Sequence, residues 1–206
     1  MYNMWTTYNG PWDNNAAYLK PSSALGTEIS AFKEQLGLKP DRGFPKNAVV
    51  TFPNEEVGRG HKIVVVVKMT YPGFKTIGGY HTPLFVFDLV VNATKNNGVS
   101  NGKSGMEMVY KGKMNVTFME NYPNDYPTFK LPKYDGFDGS QHGNHMYVGG
   151  RMCLYGRYGH SDGAWYPDRS TAAEAFGPAM KWIVWHERDR KEGVDADDIN
   201  RRQRGR

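Results

Sequence analysis

Lys62-Ile63-Val64-Val65-Val66-Val67-Lys68-Met69, Leu84-Phe85-Val86-Phe87-Asp88-Leu89-Val90-Val91 and Met114-Asn115-Val116-Thr117-Phe118-Met119 follow one another through the middle of the chain. β-branched and aromatic residues dominate the first two stretches. In the third, Met114, Val116 and Phe118 alternate with polar residues, the period that turns one face of a strand into a core. Tyr71-Pro72-Gly73 reads as the end of the first strand, and the polar stretch Asn92 to Gly105 as a hairpin tip. Thr128 to Leu131, bounded by Pro127 and Pro132, reads as a short fourth strand at an edge. Sequential strands with short connections make an antiparallel meander.

Helical signals flank the strands. Ser22 or Ser23 can cap a helix that runs to about Leu36, with Gly37 at its end. Leu25, Ile29, Phe32 and Leu36 recur at i, i+4, i+7 and i+11, one apolar face of an α-helix. Downstream, Thr171-x-x-Glu174 forms a capping box, and Ala172, Phe176, Ala179 and Ile183 follow at helical spacing. Gly177-Pro178 is expected to kink or split this helix. The expectation is an α+β fold: N-terminal helix, four-stranded antiparallel meander, a long irregular segment from Tyr134 to Asp168, and a C-terminal helix. Residues 1–21 carry Tyr2, Trp5, Tyr8, Trp12 and Tyr18 without a period and read as an aromatic arm. Residues 22–190 are expected to form one domain, and 191–206 a charged tail, within a mixed-charge stretch that starts at Glu187.

Composition removes several function classes. The 206 residues contain one cysteine, so an internal disulfide and a multi-thiolate zinc site are excluded. The longest aliphatic run, Ile63 to Val67, is far shorter than the roughly 20 residues that span a bilayer. Met1-Tyr2-Asn3-Met4-Trp5 has no basic region followed by an apolar stretch, so a cytosolic protein without a membrane partner is expected. The net charge is +5, but Arg201, Arg202, Arg204 and Arg206 supply four of it and leave 22 basic against 21 acidic residues elsewhere. Those arginines are read as a solvated terminus, not as a nucleic-acid-binding segment.

The single thiol lies inside the irregular segment, in Gly149-Gly150-Arg151-Met152-Cys153-Leu154. Glycines beside a cysteine permit another chain or ligand to approach closely. Three readings of Cys153 stand at this level: an inert buried thiol, a nucleophile, and a zinc ligand with His142, His145 and His160. The last spacing fits no common finger pattern. Neither a metal nor a cofactor is expected.

The string around Cys153 resembles the catalytic core of ubiquitin-conjugating enzymes. That family runs through a Tyr-x-Gly-Gly turn, an alternating strand, Tyr-Pro-x-x-Pro-Pro, His-Pro-Asn, Gly-x-Ile-Cys-Leu and Trp-x-Pro before a helix. The same order stands here in Tyr110-Lys111-Gly112-Lys113, Met114 to Met119, Tyr122 to Pro127 with Phe129 to Lys133, His142-Gly143-Asn144, Gly150 to Leu154, and Trp165-Tyr166-Pro167. The likeness is close over about residues 110–186 and is one of topology only before that. The chain departs from the family at Gly143, at one extra residue between Asn144 and Cys153, at Tyr155 in place of an Asp, and at four extra residues before Trp165. Its short C-terminal part is more similar to prokaryotic relatives encoded with antiviral defence systems.

The resemblance implies a ubiquitin-conjugating-enzyme-like fold and an acyltransferase. Cys153 would accept the C-terminus of a ubiquitin-like protein from an activating enzyme as a thioester. It would pass that acyl group to an amine, a lysine of a protein substrate, alone or with a ligase. It further implies that Asn144 stabilises the oxyanion and that His142 is a structural hydrogen-bonder. Phe129, Lys130 and Pro167 would contact a ligase, and Lys33 and Glu34 the activating enzyme. His145 is the residue to act if a base is used. Trp165, Trp182 and Trp185 are expected to be packing residues. Two other activities are weighed beside conjugation: a cysteine hydrolase pairing Cys153 with His142 or His145, and a non-catalytic adaptor that binds ubiquitin-like proteins.

Overall fold

A computed structural model describes residues 24–37, 47–54, 60–77, 80–95, 105–118, 122–136, 146–154 and 165–192. In chain order these carry α1 (Ala24–Gln35), β1 (Ala48–Pro53), β2 (Lys62–Ile77), β3 (Tyr80–Thr94), β4 (Met106–Thr117), β5 (Thr128–Lys130), β6 (Met146–Tyr147), β7 (Arg151–Met152) and α2 (Phe176–Glu192). All strands join one antiparallel sheet in the order β1-β2-β3-β4-β5-β7-β6. The fold is α+β as expected, but the four-stranded meander is replaced by seven strands. Ala48-Val49-Val50-Thr51-Phe52-Pro53 pairs with Lys62–Val67 and was hidden by its own proline and a short, mixed pattern. The other two additions are two-residue strands, too short to carry a period.

The strands also run longer than their sequence signals. Tyr71-Pro72-Gly73 does not end β2, which continues to Ile77 with a register shift between Met69 and Tyr71. Strand β1 covers β2 only from Lys62 to Val67, so Pro72 lies beyond that pairing, where its missing N–H leaves no rung of that ladder broken. Strand β3 reaches Thr94, and β4 begins at Met106, eight residues before the expected Met114. A second register shift, at Val91/Asn92, places the consecutive Val109 and Tyr110 both in the core and breaks the alternation there.

Helices lie on one face of the sheet. Ile63, Val65, Val67, Phe85, Phe87, Leu89, Met114 and Val116 point into the core, while Val64, Val66, Val86 and Val90 are half-buried on the other face. Phe32 of α1 sits 5.0 Å from Phe87 and 6.1 Å from Phe176 of α2, so both helices share this core. Ile29, Phe32 and Leu36 of the predicted stripe are buried, and Gly37 ends the helix at φ 68°. The side chain of Leu25 lies outside the described residues.

Helix α2 corrects two expectations. Thr171 N–H does donate to Glu174 Oε2, at 3.4 Å, but residues 171–175 form turns and the helix starts at Phe176. Pro178 therefore falls in the first turn, where its missing N–H has no partner to lose, and Gly177-Pro178 opens the helix without kinking it. Gly177 also lies under Phe52, 3.3 Å from where a Cβ would stand. The helix then continues through Glu192, into the stretch read as a mixed-charge tail, because two of its charges are buried. Arg188 bonds Glu107 Oε1 at 2.8 Å and the Thr94 carbonyl at 2.5 Å, and Glu187 is likewise paired. Trp182 is core, whereas Trp185 is exposed. Residues 1–21 and 193–206 lie outside the described residues. Among the described residues no helix is long and apolar enough to cross a membrane.

Candidate functional site

Strand β5 connects the large hairpins to the thiol. Its Lys130 pairs with Asn115 on one side and Arg151 on the other. Strands β6 and β7 form a tight hairpin, with Met146 opposite Met152 and Tyr147 opposite Arg151. Met146 and Met152 are buried, so Tyr147 and Arg151 take the opposite face by the alternation of a strand.

The turn of this hairpin needs its glycines. Gly149 and Gly150 lie at φ 70° and 76°, the left-handed region that costs side-chain-bearing residues most. Gly150 is also pressed on a wall of backbone. Its carbonyl accepts the Leu131 N–H at 3.1 Å. A Cβ there would stand 2.7 Å from the Leu131 carbonyl oxygen and 2.9 Å from that of Tyr134. The sequence reading saw glycines that let a partner approach; the partner at Gly150 is this chain itself.

Cys153 follows directly and is partly exposed. Its Sγ lies 3.2 Å from Tyr147 Oη, reached back across the hairpin. Burial and, first, the bond to Cys153 push the Tyr147 hydroxyl up to about 12, with the neighbouring Arg151 guanidinium acting in the other direction. The phenol therefore keeps its proton through neutral pH and can donate to a thiolate. The Arg151 guanidinium lies 5.5 Å over the Tyr147 ring. Tyr147 was missed in the sequence reading: a two-residue Gly-Gly turn would pair it with Met152, whereas the observed Tyr147–Arg151 register sets it diagonal to Cys153 on one face.

No family model, curated protein or solved structure matches this chain.

The other expected residues divide into described and undescribed. His142, Asn144, His145 and His160 lie outside the described residues, as does Tyr155. Among the described residues no group of three or more His, Cys, Asp or Glu could hold a metal. Phe129 is 1% exposed and opposes Val116 in the sheet, so its ring is core and gives a partner no surface. Lys130 is half-buried and pairs with Asp135 at 3.0 Å. Pro167 is half-buried beside Trp165, whose indole N–H donates to the Pro123 carbonyl at 2.6 Å. The Trp165 ring also packs on Tyr122, which follows β4 and precedes a cis peptide bond to Pro123. Lys33 is half-buried and Glu34 exposed, both on α1.

Two buried carboxyls were also missed. Glu28 of α1 accepts bonds from the Tyr122 hydroxyl and from the Ala172 N–H, the latter at 2.9 Å. Burial raises this carboxyl to about 7, against the pull of those two hydrogen bonds. Its position was readable: four before Phe32 and one before Ile29, it belongs to the apolar stripe of its helix. Glu187 of α2 accepts Lys133 Nζ at 2.9 and 3.0 Å and the Tyr134 hydroxyl at 2.5 Å.

Proposed function

We propose that the chain is a ubiquitin-conjugating-enzyme-like acyltransferase with Cys153 as the acyl carrier. One observation carries the reading: segments that the resemblance treats as successive motifs are bonded to one another, two of those bonds beside the strand that ends at the thiol. Trp165 bonds Pro123, the strand after Pro127 pairs with Arg151, and Leu131 bonds Gly150.

The chemistry needs little beyond a presented thiol. The Cys153 thiolate adds to the thioester carbonyl that joins a ubiquitin-like C-terminus to an activating enzyme. A new C–S bond forms, the activating enzyme's sulfur leaves, and the proton lost by Cys153 ends on that leaving thiol. An amine then attacks the Cys153 thioester, an amide forms, Cys153 leaves as thiolate, and the proton lost by the amine passes to solvent. A thiol of ordinary acidity, near 8.5, serves as both nucleophile and leaving group. The Tyr147 hydroxyl stabilises the thiolate before attack and after departure, so it holds a role at both ends of the cycle. Asn144 remains the proposed oxyanion donor; such a donor is worth roughly 2.7–4 kcal/mol in comparable sites. Lys130 and Pro167 are proposed as ligase contacts, and Lys33 and Glu34 as contacts for the activating enzyme.

The test is incubation with an activating enzyme, its ubiquitin-like protein and ATP, read on a non-reducing gel. The wild type should form an adduct that thiol reductant removes. Cys153→Ala should form none, and any adduct of Cys153→Ser should resist reductant as an oxyester. No adduct from the wild type with a cognate activating enzyme and ubiquitin-like protein would reject the proposal.

A further inference from the structure

We infer that Glu187 is a positioning residue for the Cys153 thiol, acting through the 132–134 turn and Gly150. The inference rests on Cys153 being the reacting group, as proposed above. A carboxylate only 2% exposed is costly to bury, and its partner Lys133 is itself exposed to water, so the pair returns little net stability. What such a pair supplies is fixed geometry. Here Glu187 grips two successive residues of one turn, Lys133 by its ammonium and Tyr134 by its hydroxyl. Burial and the bond to Glu187 raise the Tyr134 phenol, so it remains a donor.

That turn is the wall on which the thiol hairpin stands. The carbonyl oxygens of Leu131 and Tyr134 flank the Cα of Gly150, with no room for a methyl group between. The Leu131 N–H bonds the Gly150 carbonyl, and Arg151 pairs with Lys130. Two residues later comes Cys153, with Sγ at 3.2 Å from Tyr147 Oη. Hydrogen bonds, close backbone packing and three residues of chain thus connect α2 to the sulfur. Releasing Glu187 lets the 132–134 turn move, and Gly150 moves with it. The sulfur–hydroxyl contact, at the end of the chain, is the distance that changes.

Cys153 is the sole thiol of the chain, so alkylation by iodoacetamide reads it directly in the full-length protein. Second-order rates from pH 6 to 10 give a midpoint for thiolate formation, with melting temperature recorded alongside. Losing a hydrogen bond to the thiolate moves that midpoint up. Tyr147→Phe and Glu187→Leu should each slow alkylation at pH 7 by about 3–10-fold, a shift of about half to one pH unit. The double variant should be no slower than the slower single, because both remove one contact. Glu187→Gln keeps an acceptor for Tyr134 and should stay within about twofold of wild type. A wild-type profile in folded Glu187→Leu, or an effect that multiplies with that of Tyr147→Phe, overturns the inference. Should Glu187→Leu fail to fold, Tyr134→Phe decides: a shifted midpoint supports positioning, and an unchanged one overturns it. Alkylation uses no ubiquitin-like protein, so this result and the thioester gel can fail separately.

Discussion

Gly150 concentrates the demands of the site in one residue. Its φ of 76° and the two carbonyls against it exclude a side chain for separate reasons. Gly37 at φ 68° meets only the first, since nothing lies within 4 Å of a Cβ built there. Gly37→Ala should therefore cost about 1–2 kcal/mol, the left-handed penalty alone. Gly150→Ala should cost more, by about 1–3 kcal/mol of added overpacking, and should slow alkylation of Cys153. Denaturant unfolding of the two variants checks the order; equal losses would mean that the wall at Gly150 yields freely. At this scale the sequence was legible for Cys153 and for the glycines beside it. Tyr147 was not found because its contact runs across a hairpin that no periodicity announces.

Elements are tied together here by buried acids. Glu28 holds α1 to Tyr122, just after β4, and to the turn that precedes α2. Burial raises its folded-state value to about 7, above the 4.5 of a carboxyl in water. Its contribution is therefore fully present below about pH 4.5 and is lost as pH rises through 7. The gap corresponds to something on the order of 3 kcal/mol at alkaline pH. Wild-type melting temperature should fall from pH 5 to pH 8, and Glu28→Gln should flatten that slope. A slope unchanged in Glu28→Gln would show that Glu28 ionises without cost in the fold. Both helices were legible from their apolar spacing, α1 with its Gly37 end as well, but the ends of α2 were not. Gly177-Pro178 has the same letters whether it breaks a helix or opens one, and only the preceding turns decide. Arg188 and Glu187 look like tail charges until Glu107, Thr94, Lys133 and Tyr134 are brought beside them.

At the scale of the molecule, the described residues form a seven-stranded sheet with two helices on one face, and the thiol hairpin extends that sheet at the end opposite β1. The three central strands announced themselves through β-branched runs and alternation. Strand β1 and the small hairpin did not, since six residues ending in proline and pairs of two residues carry too little pattern. Their places were fixed by pairing with strands already formed. That same pairing delivers Cys153 to a surface while its neighbour Met152 stays in the core. The central claim is that this sulfur carries an acyl group. Intact-mass measurement after incubation with an activating enzyme, its ubiquitin-like protein and ATP tests it most directly. The account predicts a gain equal to the ubiquitin-like protein less one water, mapped to Cys153 and removed by thiol reductant. An unchanged mass beside a fully charged cognate activating enzyme, or an adduct mapped to another residue, would contradict it.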